Sequence, residues 1–538
     1  MFRKMNRGTV AAIAVVLLAI ILGVFVFLVK DKKRENKKES AVESTSREVA
    51  EGIQQVPAEE ATEESGEEAQ GTATDVSHLG AWDDEDADWM QEVTVVNAKL
   101  PGSMAEKMSA QEYIESGARY DKYPEELAAA RTVACQLTPS LKGFYDEVAK
   151  ALLGNTEGNA VCSPLNIYMA LSLLAEVTDG NSQKQLLEFL SADDIDALRK
   201  NADALWNSNF MDTPANKSIL ANSLWLNQSV DYDMETLERL ATEYHAYSFV
   251  GDPGSEAMTK GLRSWTNKAT GGLLEQYVQN MELKPEMVLD IVSTLYYHAM
   301  WQNDFLKELT QKEVFHGAHG DTTVDMMHQQ LGMAYRSEKV TAVNLYLKDG
   351  AYMYFYLPKE GVEIEELVAD PEIFWIRRRL YELGQELTEL GKTIDYQDGE
   401  AVREYDEIVE KRYADYGWTF PIVHASIPKF QVEQKTDLKE LLVREGMTDI
   451  LDPAVSDFTP LTKEGQGIAL DKAEHAATIQ IDEEGVTGAA YVEEFLLGAA
   501  SDKDREEIDF VLDRPFLFAL YSLDGSILFE GIVRDICD

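Results

Sequence analysis

The chain has 538 residues, and 96 Asp and Glu against 49 Lys and Arg give it a formal net charge of −47. A polyanion of that strength is repelled by phosphate backbones, which excludes nucleic acid as a partner. Three cysteines close at most one disulfide and show no zinc-site spacing, which excludes a disulfide-stapled scaffold and a structural metal site.

Residues 10–29 form an uncharged apolar run. It has about the 20 residues a spanning helix requires and exceeds the roughly 7–15 of a cleavable signal core. Lys30, Asp31, Lys32, Lys33 and Arg34 follow it, where a small-residue cleavage site would stand. A retained single-pass membrane anchor with basic flanks is therefore expected over 1–34, the alternative being an unusually long cleaved signal peptide. Counted literally, Arg3, Lys4 and Arg7 before the run are outnumbered by the cations after it, which places the downstream chain inside. A long downstream domain translocates largely regardless of charge, and an extracellular domain is the favoured expectation.

Residues 35–88 are rich in Glu, Ser, Thr, Ala and Gly, with acidic pairs such as Glu59-Glu60 and Glu63-Glu64. Such composition builds no core, so an acidic disordered tether is expected. Residues 89–138 read as a helix-prone extension of unknown role.

The next stretch carries short motifs in a fixed order. Asn159, Ser163, Pro164 and Ile167 open a helix, and Gly180-Asn181-Ser182 with Gln185 mark a turn and the next helix start. Ala221-Asn222-Ser223-Leu224-Trp225 reads as a strand, Trp265, Lys268, Thr270 and Gly272 as a helix end, and Leu295-Tyr296-Tyr297 with Trp301 and Phe305 as a long strand. Met326-Met327 with Gln329, Leu357-Pro358, Ile427-Pro428-Lys429-Phe430, Asp457-Phe458 and His475 follow. Arg514-Pro515-Phe516-Leu517-Phe518 and Ile527-Leu528-Phe529-Glu530-Gly531 close the series. Between about 364 and 416, a charged helical pattern containing Arg377-Arg378-Arg379 reads as a surface insertion.

Catalytic chemistry is not apparent. There is no G-x-S-x-G elbow and no H-E-x-x-H, so an enzyme is not expected and no cofactor is called for. His316 and His319 sit in a Gly-rich turn and read as a solvated loop. Cys162 reads as a small buried apolar residue.

From 486 to 496 the even positions are Val486, Gly488, Ala490, Val492, Glu494 and Leu496; the odd ones are Thr487, Ala489, Tyr491, Glu493 and Phe495. Alternate residues of a strand face opposite sides, so one face is mostly apolar or tiny and the other more polar. No proline lies between Ile481 and Arg514, so the segment is free to join a sheet.

Taken together, the collinear motifs from about 141 to 533 resemble the serpin family, and the chain looks like a membrane-anchored, bacterial-type member. The resemblance implies a mixed α/β serpin fold over 139–538, with three β-sheets, about eight to nine helices and an exposed reactive-centre loop at about 483–510. It makes Glu483, Glu484, Gly485, Val486, Thr487, Gly488, Ala489 and Ala490 the loop hinge. Ser163, Asn166, Ser293, Trp301 and His475 become the region that gates opening of the central sheet. Family-typical spacing from Glu483 puts the scissile bond between Ala499 and Ala500, which suits an elastase-like or subtilisin-like protease; Arg505 is the competing site and would suit a trypsin-like one.

The implied activity is suicide-substrate inhibition. A serine protease cuts the loop and forms an acyl-enzyme, and the freed segment enters the sheet and traps it covalently. The expected partners are a serine protease and, through residues 10–29, a membrane; the expected state is a monomer. Departures from the family pattern are Asn166 where Ser is usual, Ser293 where Asn is usual, Arg263 where Asn is usual, and Glu494 on the face to be buried. Two other readings stand beside it: a non-inhibitory serpin acting as a binding or surface interaction protein, and an adhesin using the fold as scaffold.

Overall fold

The computed structural model describes residues 88–100 and 125–536, apart from 155, 214–215, 464, 466, 471 and 487–504. Residues 377–416 form one compact unit and the other described residues a second. Nineteen strands, β1–β19 in chain order, make three sheets among the described residues.

The central sheet of the larger unit runs β1 (Thr94–Val96), β5 (Ala246–Gly251), β4 (Lys217–Asn227), β6 (Leu289–Met300), β16 (Gly485–Val486), β15 (Glu474–Ile481), β14 (Phe430–Asp437), with β3 (Met211–Asp212) paired to β4. Nine consecutive residues of β4, Ser218 to Leu226, are buried, as a strand covered on both faces requires. In β14 the Phe430 and Val432 side chains are buried while Gln431 and Glu433 are exposed, the alternation of a half-covered edge strand. A seven-stranded sheet runs β12 (Trp418–Thr419), β9 (Ala334–Arg336), β10 (Val340–Tyr346), β11 (Tyr352–Pro358), β18 (Phe516–Tyr521), β19 (Ile527–Val533), β2 (Ala160–Cys162). A four-stranded sheet runs β17 (Glu507–Val511), β13 (Ile422–Pro428), β8 (Gly320–Leu331), β7 (Gln311–Gly317).

Two helices position the central sheet. The helix Pro164–Glu176 is buried all round except at Ala170, which marks it as a core element rather than an amphipathic surface helix. Its start is written in the sequence: Pro164 needs no helical N–H partner there, and the Ser163 hydroxyl accepts from the Asn166 amide. The helix Glu256–Ala269 begins at Ser255, whose hydroxyl accepts from the Met258 amide. It ends at Gly271 and Gly272, both at positive φ. A Cβ on Gly271 would stand 2.8 Å from the Tyr296 ring of β6, so the chain crosses the sheet there only as glycine.

The amino-terminal extension departs from its expected helical character. Residues 125–137 do form a helix, but Trp89–Gln91 is a single 3-10 turn and Thr94–Val96 is a strand antiparallel to β5. Trp89 is 1% exposed and packs in one apolar cluster with Phe249, Met258 and Trp265. A Cβ on Gly261 would lie 2.7 Å from the Trp89 ring, so the indole seats on the bare backbone of the helix Glu256–Ala269. Helical periodicity did not reveal this because the stabilising partner, a sheet edge some 150 residues on, is not local.

Twelve α-helices occur among the described residues, more than the eight or nine expected. Glu125–Leu137 and the pair Ile376–Gly391 and Gly399–Asp415 account for the surplus. The pair is cross-linked by an Arg412–Glu386 ion pair at 2.8 Å and by the Tyr405 hydroxyl donating to the Leu387 carbonyl at 2.9 Å. No described helix is long and apolar enough to cross a membrane; residues 10–29, where the anchor is expected, lie outside the described residues.

Candidate functional site: the hinge and the slot in the central sheet

At one end of the central sheet, β6 and β15 run parallel to each other, and β16 lies between them, antiparallel to both. Gly485 opposes Met300, and Val486 opposes Ala299 on one side and Ile481 on the other. Among the described residues, no registered pairs join β6 directly to β15. Just beyond Val486 the structure has a small cavity of about 20 Å³, with Tyr297 and Ile479 from one face of the sheet and Tyr296 and Thr478 from the other among its lining residues. Because both faces contribute, the space opens between the strands. Leu273 and Leu274, just past the glycines that end the helix Glu256–Ala269, also line it.

The turn that feeds β16 is held by its own acids and by Trp301. One Asp482 carboxylate oxygen accepts from the amides of Glu484 and Gly485 at 2.9 and 3.2 Å, and burial pushes that carboxyl above its ordinary range. The Trp301 indole donates to the Asp482 carbonyl at 2.9 Å and its amide to the Glu484 carbonyl at 3.0 Å; the Phe305 amide donates to the Glu483 carbonyl at 3.1 Å. Burial opposes ionisation of Glu483, yet the hydrogen bonds from Lys429 (2.9 Å) and Thr310 (2.9 Å) hold its carboxyl below the usual range. Lys307 pairs with Glu484 at 2.6 Å. Gly485 has no room for a side chain, since a Cβ would lie 2.2 Å from the Ala299 carbonyl oxygen.

Deeper in the sheet, a second cluster ties the strands to the core helix. Asn166 donates from its amide nitrogen to the Ser293 carbonyl at 2.8 Å, and the Ser293 hydroxyl lies 2.5 Å from the Asn166 side-chain oxygen and 2.7 Å from that of Asn222. The two departures from the family pattern are thus partners: the amide sits on the helix and the hydroxyl on the strand, the reverse of the usual arrangement implied by the resemblance. Arg263, the third departure, donates to the Met281 carbonyl at 2.9 Å.

On the other side of the same helix start, buried His475 accepts from the Ser163 amide through Nε2 at 3.0 Å. The donor is a backbone N–H, so this nitrogen carries no proton and the ring is neutral. Burial lowers its pKa to about 4. An unfolded histidine titrates near 6.5, so between pH 6.5 and 4 the unfolded chain binds the extra proton; stability falls as pH drops through this window and levels off below it. Thermal melts of the wild type and His475→Gln from pH 7.5 to 4 are expected to converge on acidification. Curves that stay parallel would rule out this linkage.

The structure therefore brings Glu483, Glu484, Gly485, Val486 and Trp301 together at the sheet's end, and Ser163, Asn166, Ser293 and His475 at its middle. Thr487, Gly488, Ala489, Ala490, Glu494, Ala499 and Ala500 lie outside the described residues. Sequence reasoning missed Thr310 and the bridging role of Asn222, although Asn222 stands inside a quoted motif. It also missed Glu530, a fully buried carboxyl that burial pushes up to about 8. Cys162, 1% exposed, lies beside it with its sulfur 3.6 Å from a Glu530 oxygen, and burial pushes the thiol pKa up. His316 and His319 pair with separate carboxylates, Asp321 and Asp535, and no metal-binding cluster occurs among the described residues.

Comparison with known proteins matches this architecture. A family model described as serpin (serine protease inhibitor) covers residues 141–536. The chain is 26% identical to antithrombin-III of Bos taurus over 73% of this chain and 79% of that one. It is 24% identical to the leukocyte elastase inhibitor of Sus scrofa over 74% and 98%. Among solved structures, the thermophilic serpin tengpin in its native state superposes with a TM-score of 0.58 at 21% identity, covering 74% of this chain and 93% of that one. With the hinge seated at the end of a three-sheet fold and the family model matching residues 141–536, the chain belongs to the serpin family.

Proposed function

We propose that this serpin is a suicide-substrate inhibitor of serine proteases, cut between Ala499 and Ala500 by an elastase-like or subtilisin-like enzyme. The observation that carries the reading is the seating of Gly485–Val486 between β6 and β15, one short step into a slot whose length can be counted.

Extending that register in a cleaved form gives each following residue a partner. Gly488 meets Tyr297 and Ile479, Ala490 meets Leu295 and Ala477, and Val492 meets Ser293 and His475. On this face the smallest side chains, Gly488 and Ala490, enter first, into the cavity that Tyr297 and Ile479 line. Glu494 falls opposite Ile291 but past Glu474, the first residue of β15, so its carboxylate comes to the rim, where desolvation is far less costly than inside. Leu496 reaches Leu289, where β6 begins. The expected acyl bond lies three residues further on, outside the filled slot. About 13 residues at ~3.3 Å each carry the attached protease roughly 40 Å.

Before cleavage the segment is tethered at both ends, and the missing strand pairing is withheld by a kinetic barrier. Inhibition results when insertion outruns hydrolysis of the acyl-enzyme. The anchor of residues 10–29 and the acidic tether of 35–88 complete the proposal by placing this domain outside the cell, standing off the membrane.

Incubation of the intact protein with pancreatic elastase and with subtilisin tests the reading. A complex stable in SDS and a released carboxyl-terminal fragment beginning at Ala500 are expected. Cleavage with quantitative turnover and no complex for any serine protease would leave only a non-inhibitory role.

A further inference from the structure

Arg505 is the only arginine between Arg444 and Arg514, and it stands six residues past the proposed bond. Its Nε donates to the Phe420 carbonyl at 3.0 Å, and one Nη donates to the carbonyls of Pro421 at 2.7 Å and Gly332 at 3.2 Å. The next residue is held as firmly. Both Glu506 carboxylate oxygens are gripped by the Arg336 guanidinium, at 2.9 and 2.6 Å, and its carbonyl accepts from the Ile422 amide at 2.8 Å. β17 then begins at Glu507, parallel to β13, with Glu507 opposite Ile422.

Main-chain carbonyls are a particular choice of partner. They carry no net charge and do not titrate, so what they impose on the guanidinium is geometric, its planar fork of donors spanning the strand ends before β9 and β13. A trypsin-like protease needs this same guanidinium in its acidic primary pocket, with the backbone on either side extended in its cleft. To cut after Arg505 it would have to break all three carbonyl bonds, the Arg336–Glu506 pair and the first bond of β17 at once. Such a site is reached only through local unfolding.

We propose that Arg505 is a positioning residue that rivets the carboxyl-terminal base of the reactive loop to the carbonyls of Gly332, Phe420 and Pro421, and thereby withholds the region's one arginine from trypsin-like enzymes and leaves the small residues upstream as bait. This rests on the inhibitory reading above and narrows its substrate class to proteases with a shallow apolar primary pocket. The rivet also limits the directions in which the uncut loop can point. It acts before cleavage, whereas the partition between trapping and turnover is decided afterwards at the hinge.

Limited trypsin digestion of the native full-length chain, read by mass spectrometry, tests the rivet directly. A fragment beginning at Glu506 is expected about tenfold or more slowly than from the heat-unfolded chain, since cutting awaits local opening. A cut after Lys503 is distinguished by a fragment beginning at Asp504. Arg505→Lys keeps a residue that trypsin accepts but replaces the planar fork with a single ammonium, and should be cut at 505 severalfold faster in the native protein. With elastase, Arg505→Ala should slow association about threefold or more through lost preorganisation, with the stoichiometry of inhibition unchanged. Equal rates of cutting at 505 in native and unfolded wild type, or a trypsin complex acylated at Arg505, would overturn the proposal. If no protease forms a complex, the inhibitory reading fails, while the trypsin arm still decides whether Arg505 is clamped.

Discussion

A single cut between Ala499 and Ala500 is expected to raise the melting temperature by about 20 °C or more, with no change in composition. Ten residues, 487–496, would gain a neighbour in β6, and the first seven of them, 487–493, a second in β15, along the register set by Val486, Ala299 and Ile481. Backbone hydrogen bonds contribute ~0.5–1.5 kcal/mol each net, and burial of Ala490 and Val492 adds to them. A net gain on the order of 10 kcal/mol in a domain of this size corresponds to about 2 °C per kcal/mol. Calorimetry before and after limited elastase digestion makes the measurement, with the two fragments verified to stay together. An unchanged melting temperature would mean that the slot between β6 and β15 does not accept the segment.

The second large effect is expected at the hinge. Replacing Val486 with Asp should turn the protein from an inhibitor into a substrate, lowering the yield of covalent complex more than tenfold while the rate of loop cleavage stays near wild type. Val486 is 1% exposed and sits against Ala299 and Ile481 on the core face. An unpaired carboxylate there costs several kcal/mol to bury, so the substituted end of β16 leaves the slot before cleavage and must re-enter it on insertion, and each ~1.4 kcal/mol added to that barrier slows the step tenfold. Hydrolysis of the acyl-enzyme belongs to the protease and is unaffected, so turnover wins. Gly485→Val should act in the same direction because its side chain would strike the Ala299 carbonyl. Val486→Ala, which leaves the site apolar, should retain most trapping. The stoichiometry of inhibition, titrated by residual protease activity, separates the three variants; an unaltered yield with Val486→Asp would show that the hinge does not control partition.

Much of the fold was legible because the features that determine it are local or motif-borne. Ser163-Pro164 specifies a helix start through one hydroxyl and one missing N–H, and Gly272, two residues past Thr270, marks a helix end through its positive φ. The hinge was legible for a related reason: its two acids, glycine and small residues are a contiguous motif, and Asp482 caps its own turn, whereas the partners of Glu483 and Glu484, Lys429, Thr310 and Lys307, come from distant segments. What the sequence could not display were pairings set by distance. The exchange of Asn166 and Ser293 looks like two separate irregularities until the structure brings them within hydrogen-bond reach. Glu530 reads as an ordinary alternating strand residue, yet both sides of its strand are covered. Arg505 reads as a protease site because nothing in its neighbourhood reveals the carbonyls that hold it. Residues 89–100, lacking any counterpart in the family pattern, gave no signal of their place in the sheet.

That last element bears on how the molecule behaves in company. The outermost long-established strand, β5, would by itself offer a row of unsatisfied amides and carbonyls to any extended peptide, including the insertion-prone ribbon of a neighbouring copy. Three residues of the chain's own, Thr94–Val96, occupy that row, and they are too few to template another molecule in turn. Trp89 pins the cover from one side, and the Lys99 amide, donating to the Ala241 carbonyl at 2.9 Å, closes it from the other. A serpin trimmed at its amino end past Lys99 would therefore bare a sticky margin, and filaments in concentrated solution would be its signature.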